Sequence, residues 1–174
     1  MKKNKTRVIT ILLFLILLAG LSLLLYPVIS DYWNALHQSQ VIVNYDQQVN
    51  DLNAERYAAL LKEAQEYNLT LMGRMNPYVL SEEQKNRYGE LLNVSGTGVM
   101  GYIEIPSIRC KLPIYHGTSE AVLANAVGHL EWTSLPVGGE STHCSLSGHR
   151  GLPSAKLFSE LDQMEIGDMF VLRV

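Results

Sequence analysis

The feature that most constrains the fold is an uncharged apolar run close to the N-terminus. The run extends from Val8 to Leu25 and follows a basic segment, residues 1–7, in which four residues are lysine or arginine. As a helix with a rise of ~1.5 Å per residue, the run is just long enough to cross the hydrocarbon core of a bilayer. The basic flank predicts a cytoplasmic N-terminus and an external remainder. We therefore predict a single-pass signal anchor at residues 8–26.

The apolar run has two other possible interpretations, a cleaved signal peptide and a buried helix. A cleaved signal peptide is disfavoured because the run is long and Tyr26-Pro27 follows it in place of a small-residue cleavage site. A buried helix of a soluble protein is disfavoured by the adjacent basic cluster. Both alternatives remain less favoured than the anchor.

Residues 27–93 have the pattern of an amphipathic helical extension. Apolar residues recur at helical spacing in two stretches, and the segment Asn50–Asn53 separates them with turn-forming residues. Ser81 followed by Gln84 predicts a capping box at the start of a shorter helix that ends near Leu92. Tyr32 and Trp33 are candidates for the bilayer interface, although ordinary packing explains them equally well.

From residue 94 onward the pattern changes to short strands separated by Gly and Pro turns, which predicts a β-barrel or sandwich. The predicted elements are strands at Val99–Ile105, Cys110–Tyr115, Glu140–Leu146 and Met169–Val174, a helical turn at Glu120–Ala126 and a short helix from Ser154. The net charge of −3 gives no reason to expect a nucleic acid partner. The two cysteines do not form a disulfide framework, and the histidines lack the spacing of a zinc site.

The most informative motif is the run from Ser147 to Phe158. His149 follows a predicted strand and lies between Gly148 and Gly151, where a backbone can approach closely and a side chain can reach a cleft. Histidine is well suited to proton transfer near neutral pH. Taken alone, however, a single loop histidine is more often a surface or packing residue.

Several blocks in register resemble the class C, pilin-polymerising sortases. These blocks are Gly101–Pro106, Leu112–Thr118, Gly128–Glu131, Ser134–Glu140 and Ser147–Phe158. The resemblance implies an α+β, mainly β fold in which residues 94–174 form an incomplete sortase-type β-barrel after the transmembrane helix and the helical extension. It also implies that His149 is catalytic and that no cofactor or metal is needed.

The resemblance further implies partners and a location. Pilin subunits, or other surface proteins with a Leu-Pro-x-Thr-Gly-like sorting signal, would be the substrates. The enzyme would be held in the cell membrane of a Gram-positive-type cell, with its catalytic domain outside. Many class C sortases also carry an Asp-Pro-aromatic lid, and the nearest match here, within residues 72–81, is Asn76-Pro77-Tyr78. Because the aspartate is absent, a packed turn is an equally good interpretation of these residues.

The resemblance places the nucleophilic cysteine, in a Thr-Leu-x-Thr-Cys block, and the catalytic arginine after the last residue of this sequence. A C-terminal membrane segment is expected there as well. Cys144 and Cys110 are the thiols present, and we expect both to be structural and to face away from His149. The flanking cations Arg109 and Lys111 would act to lower the pKa of Cys110. We therefore expect the 174-residue chain to be inactive alone. The alternatives to a pilin-polymerising sortase are a cell-wall-anchoring sortase of another class and a non-catalytic module that binds a sorting signal.

Overall fold

Four helices and five strands make up the computed structural model, which describes residues 2–74, 76 and 78–174. The helices are α1 (Lys2–Asn50), α2 (Ala54–Leu71), α3 (Glu82–Glu90) and α4 (Glu120–Leu123). The strands are β1 (Val99–Ile105), β2 (Cys110–His116), β3 (Val127–His129), β4 (Leu146–Ser147) and β5 (Val171–Arg173). Short 3-10 turns occupy Pro106–Ile108 and Leu161–Gln163.

Helix α1 is continuous from the basic segment to Asn50. Pro27 lies inside the helix, where it removes one backbone hydrogen bond without ending the helix. Among the described residues, α1 is the one helix that is long and apolar enough to cross a membrane. The predicted break at Asn50–Asn53 is confirmed, because Asn53 caps α2 by accepting a hydrogen bond from the Arg56 backbone N–H at 2.7 Å.

The sheet has the order β4-β3-β2-β1-β5 and is not closed into a barrel. Strand β1 pairs antiparallel with both β2 and β5, whereas β2 and β3 are parallel and β3 and β4 are antiparallel. A bulge falls between Val99 and Gly101. Gly101 is needed there, since a Cβ would collide with the Arg173 carbonyl of the neighbouring strand. The α+β class and the incomplete barrel are therefore confirmed.

Two apolar clusters hold the helices against the sheet. The main core joins α2, α3 and the sheet through buried side chains that include Tyr67, Leu91, Met100, Ile114 and Leu157. The second cluster consists of Ile42 and Tyr45 from α1 with Val99 and Tyr102 from β1. Burial of each large apolar side chain contributes roughly 1.5–3 kcal/mol to the free energy of unfolding. The C-terminal part of α1, which carries Ile42 and Tyr45, is therefore a structural part of the domain.

The N-terminus of α3 has the predicted capping box. The Ser81 hydroxyl accepts a hydrogen bond from the Gln84 backbone N–H, and the Gln84 side chain accepts one from the Ser81 backbone N–H. In α2, Asn68 is buried, and its side-chain amide forms two hydrogen bonds with the backbone of Leu135. The helical extension is thereby tied to the loops at one end of the sheet.

Two predicted elements are wrong. The strand expected at Glu140–Leu146 is a turn at residues 140–141 followed by an irregular extended segment, and only Leu146–Ser147 joins the sheet. The helix expected from Ser154 is a series of turns that ends in the 3-10 turn Leu161–Gln163. Leu157 has a φ of 39°, a conformation that an α-helix does not contain, because its side chain is drawn into the main core.

Candidate active site

His149 lies directly after β4, on an exposed loop. Its position depends on close contacts within the loop. Gly148 packs against the ring of Phe158, where an added Cβ would come within 2.7 Å of the ring carbon Cδ2. The Phe158 backbone N–H donates a hydrogen bond to the His149 carbonyl at 3.1 Å. Since Phe158 is buried in the main core, the backbone of His149 is fixed while its imidazole is open to solvent.

The residues after His149 continue this bracing. Gly151 has a φ of 76°, a conformation that favours glycine, and its backbone N–H donates to the Ser159 hydroxyl at 2.9 Å. The Arg150 guanidinium pairs with the Asp162 carboxylate at 2.7 Å. Both partners of that ion pair are largely exposed, so the pair adds at most about 1 kcal/mol and acts mainly to orient the loop.

Helix α1 holds the same loop from the other side. The Asp31 carboxylate accepts a hydrogen bond from the Lys156 backbone N–H, and the Asn34 amide donates one to the Ser154 carbonyl, both at 2.7 Å. We did not predict this contact from the sequence. The available signal was Asp31 itself, which is the first charged residue after Arg7 in α1.

Neither cysteine meets His149. Among the described residues, no hydrogen bond joins the imidazole to the thiol of Cys110 or Cys144. Burial raises the pKa of both thiols to about 11. At pH 7 a thiol with that pKa is ionised in only about one molecule in 10⁴, so neither is a ready nucleophile.

The expected effect of the neighbouring cations on Cys110 is wrong in direction. Cys110 is buried at the start of β2, whereas Arg109 and Lys111 are exposed. The Lys111 ammonium lies over the Tyr102 ring, 4.7 Å from its centroid, and does not lower the pKa of the thiol. Cys144 lies in the irregular segment 142–145, outside β4, so the alternation of side chains along a regular strand does not determine which way it faces.

The candidate lid lies next to a different loop. The Asn76 side-chain oxygen accepts a weak hydrogen bond from the Tyr78 backbone N–H at 3.3 Å. The Tyr78 ring makes an edge-to-face contact with Trp132, with 6.4 Å between ring centroids, and Arg74 donates to the Trp132 carbonyl. Pro77, the remaining residue of the candidate lid, lies outside the described residues. Of the two candidate lid residues that the structure describes, Tyr78 thus contacts the loop after β3.

A buried polar network joins α3, β3 and the loop after β3. The Tyr88 hydroxyl is 3.0 Å from His129 Nδ1, and His129 Nε2 is 2.9 Å from the Ser134 carbonyl oxygen. Burial lowers the pKa of His129 to about 4, so the ring is neutral at physiological pH. Within the part of the chain that the structure describes, no group of three or more His, Cys, Asp or Glu side chains is arranged to hold a metal ion.

A groove of about 510 Å³ runs between α1 and the β2–α4 region. Trp33 and His37 line one wall, and Pro113, Tyr115 and Val122 line the other. His149 is not among its lining residues, so this groove and the loop of His149 are separate features of the surface.

Comparison with known proteins identifies the family. A sequence profile of the Sortase domain matches residues 103–174. The structure of sortase C1 from Streptococcus agalactiae is similar to the chain with a TM-score of 0.72 and 42% sequence identity, over 78% of this chain and 70% of that one. No curated protein gives a significant match.

Two further structures agree with this result. Sortase C from Streptococcus pneumoniae, described in relation to catalysis and pilin substrate specificity, has a TM-score of 0.63 and 37% identity, over 78% of this chain and 68% of that one. Sortase C-1 from Actinomyces oris has a TM-score of 0.60 and 40% identity, over 68% of each chain. The chain therefore belongs to the sortase family, among the class C sortases.

Proposed function

We propose that this protein takes part in joining pilin subunits at Leu-Pro-x-Thr-Gly-like sorting signals, as a cysteine transpeptidase anchored in the cell membrane. The observations that carry this proposal are the 42% identity to a class C sortase over 78% of this chain and the Sortase-domain match at residues 103–174, which includes the braced loop of His149. The long apolar α1 supports the anchor, and the description of the Streptococcus pneumoniae relative supports a pilin substrate.

In the proposed reaction, a cysteine thiolate attacks the threonine carbonyl of the sorting signal. The Thr–Gly amide bond breaks, a thioester forms, and the glycine amine leaves with a proton that His149 donates. The amine of a lysine on the next subunit then attacks the thioester carbonyl and gives up a proton to His149. The new amide bond forms as the carbon–sulfur bond breaks and the cysteine thiolate is released. An exposed imidazole on a fixed backbone suits both proton transfers.

We further propose that neither Cys110 nor Cys144 supplies this thiolate. Both thiols have a raised pKa, and neither is hydrogen-bonded to His149 among the described residues. The 174-residue chain would then hold the acid–base group without the nucleophile. This property also supports the second candidate, a membrane-anchored module that binds a sorting signal without cleaving it.

Deletion of the gene in the organism that encodes it separates the candidates. For a class C sortase, we expect the covalent, detergent-resistant ladder of pilin polymers to disappear while single subunits accumulate, and a plasmid copy of the gene should restore the ladder. Loss of proteins from the cell wall with an intact ladder would instead indicate a cell-wall-anchoring sortase. If neither changes, the non-catalytic module is favoured and transpeptidation is contradicted.

A further inference from the structure

An apolar stripe continues along α1 beyond the membrane-spanning run. Ile29, Tyr32, Trp33 and Leu36 follow one another at intervals of three, one and three residues, so they share one face of the helix. Their side chains are 62%, 66%, 63% and 49% exposed. An exposed apolar face that includes two aromatic residues is a feature that soluble helices rarely leave uncovered.

The opposite face of the same turns binds the domain. Asp31 and Asn34 hold the loop after His149, and the Gln38 side-chain amide donates to the Asn125 carbonyl at 2.7 Å. Further along this face, Ile42 and Tyr45 are buried against β1. The domain therefore fixes the rotation of α1. Residues 29, 32 and 36 of the stripe lie on the side opposite these contacts, and Trp33 lies at the edge of the stripe, where it also borders the groove between α1 and the β2–α4 region.

Charge and length connect the stripe to the bilayer. No charged residue occurs between Arg7 and Asp31, and the Asp31 carboxylate is turned toward the domain, where it accepts the Lys156 backbone N–H. The helical segment from Val8 to Leu36 is about 44 Å long at 1.5 Å per residue. With a common tilt of about 20°, it spans roughly 41 Å, which matches a bilayer of about 40–45 Å that includes both headgroup layers.

We propose that this stripe lies in the outer headgroup layer of the bilayer that α1 crosses, so that its partner is the lipid surface. This inference rests on the membrane anchor of the proposed function. Tyr and Trp prefer the headgroup layer because their rings are apolar and their tips are polar. The helix has no break at which the stripe could turn away from the membrane.

A functional consequence follows from the contacts of the opposite face. Asp31 and Asn34 lie at the same height on α1 as Tyr32 and Trp33, and they hold the segment Ser154–Lys156. The loop of His149 is then kept at the bilayer surface. A secreted substrate that is still attached to the membrane would meet the imidazole there without having to extend far into the medium.

Depth-dependent fluorescence quenching tests this placement. The full chain contains two tryptophans, so Trp132→Phe leaves Trp33 as the single fluorophore. The variant is inserted into phosphatidylcholine–phosphatidylglycerol vesicles that carry a nitroxide either on the headgroup or deep on the acyl chain. We expect headgroup nitroxide to quench Trp33 several-fold more strongly than deep nitroxide.

A matched control moves the fluorophore along the same face. In the triple variant Trp33→Phe, Trp132→Phe and Gln40→Trp, the indole lies seven residues, about 10 Å, further from the membrane, and Gln40 is exposed. We expect neither nitroxide to quench it. Equal quenching at positions 33 and 40, or none at either, would overturn the inference.

Two other outcomes identify the cause of a failure. If the chain does not float with the vesicles, the membrane anchor of the proposed function is overturned together with this inference. If the chain floats but Trp33 is unquenched, and a cysteine introduced by Leu36→Cys cross-links two copies, the stripe is an interface between copies of this chain. That result would overturn the lipid assignment and leave the anchor and the proposed reaction intact.

Discussion

Gly148 fixes the position of the His149 backbone. Because Gly148 has no side chain, the Phe158 ring can pack closely against the loop backbone at this point. The flanking glycines and the histidine were recognisable in the sequence as a loop where backbones meet. The identity of the approaching group was not, since Phe158 lies ten residues away in a segment whose pattern indicated a helix. Tertiary packing of Leu157 and Phe158 into the core outweighed that local pattern.

The replacement Gly148→Ala should therefore be costly. Its Cβ would lie 2.7 Å from the buried Phe158 ring, so the ring or the loop must move, and we expect a loss of about 1–3 kcal/mol in the free energy of unfolding. Gly89→Ala is the matched control, since a Cβ there meets no atom within 4 Å and α3 should gain about 0.5 kcal/mol. Denaturant unfolding measures both; equal stability of the two variants would contradict the proposed packing.

At the scale of elements, β3 and α3 are joined by the pair His129 and Tyr88. His129 is fully buried and neutral, with a pKa near 4 against an ordinary value of 6.5. Between these values the unfolded chain binds a proton that the folded chain does not. The stabilising effect of keeping this ring neutral is therefore complete above pH 6.5 and is lost as the pH falls toward 4.

We expect the free energy of unfolding to fall by on the order of 3 kcal/mol from this residue alone as the pH is lowered through that window. His129→Gln should be less stable at neutral pH and should show a flatter pH dependence, because glutamine does not titrate. Denaturant unfolding at a series of pH values measures how the free energy of unfolding changes with pH in the wild type and in the variant. Parallel profiles for the wild type and the variant would rule out the neutral, buried ring as the source.

The contact between α1 and the loop of His149 allows a sharper test by hydrogen exchange. Asp31→Ala removes the acceptor of the Lys156 amide, and loss of a hydrogen bond to a charged group should speed its exchange by about 10- to 100-fold. Asp31→Asn keeps an acceptor oxygen and should retain most of the protection. Exposed Gln40 on the same helix provides the control Gln40→Ala. Unchanged exchange of Lys156 in Asp31→Ala would show that α1 does not hold the loop.

The elements differ in how far the sequence could predict them. Strand β1 and the capping box of α3 depend on neighbouring residues, and both were found where predicted. The strand expected at Glu140–Leu146 depends on a long-range partner, and here the segment makes isolated contacts with residues 130–134, such as the bond from the Leu130 N–H to the Ser145 carbonyl. The braces from Asp31 and Asn34 span more than 100 residues, which no local pattern reports.

At the scale of the molecule, the chain combines a helix long and apolar enough to cross a membrane, a domain attached to that helix and a histidine on a fixed loop. The proposed acid–base group, His149, thus lies on a fixed backbone, while both thiols are protonated near neutral pH. Removal of one member of a catalytic unit typically costs orders of magnitude in rate, because the members act together. The activity of the 174 residues is therefore expected to depend on a nucleophile other than these two cysteines.

The purified 174-residue chain in vesicles should accordingly not cleave a fluorogenic Leu-Pro-x-Thr-Gly peptide, with or without an amine acceptor. A sortase with known activity serves as the positive control for the peptide. Time-dependent product that disappears in Cys144→Ala or Cys110→Ala would contradict this expectation and would identify the nucleophile.

The most direct test of the central claim is the pilin ladder of cells whose chromosomal gene carries His149→Ala, compared with cells that carry His143→Ala. Both histidines are exposed and lie six residues apart, on either side of the short strand β4, but only His149 has the backbone that Phe158 and Gly148 fix. We expect the ladder to be lost with His149→Ala and kept with His143→Ala, at equal amounts of protein in the membrane. A normal ladder in the His149→Ala cells would contradict the assignment of this histidine as the proton-transfer residue of a pilin-polymerising sortase.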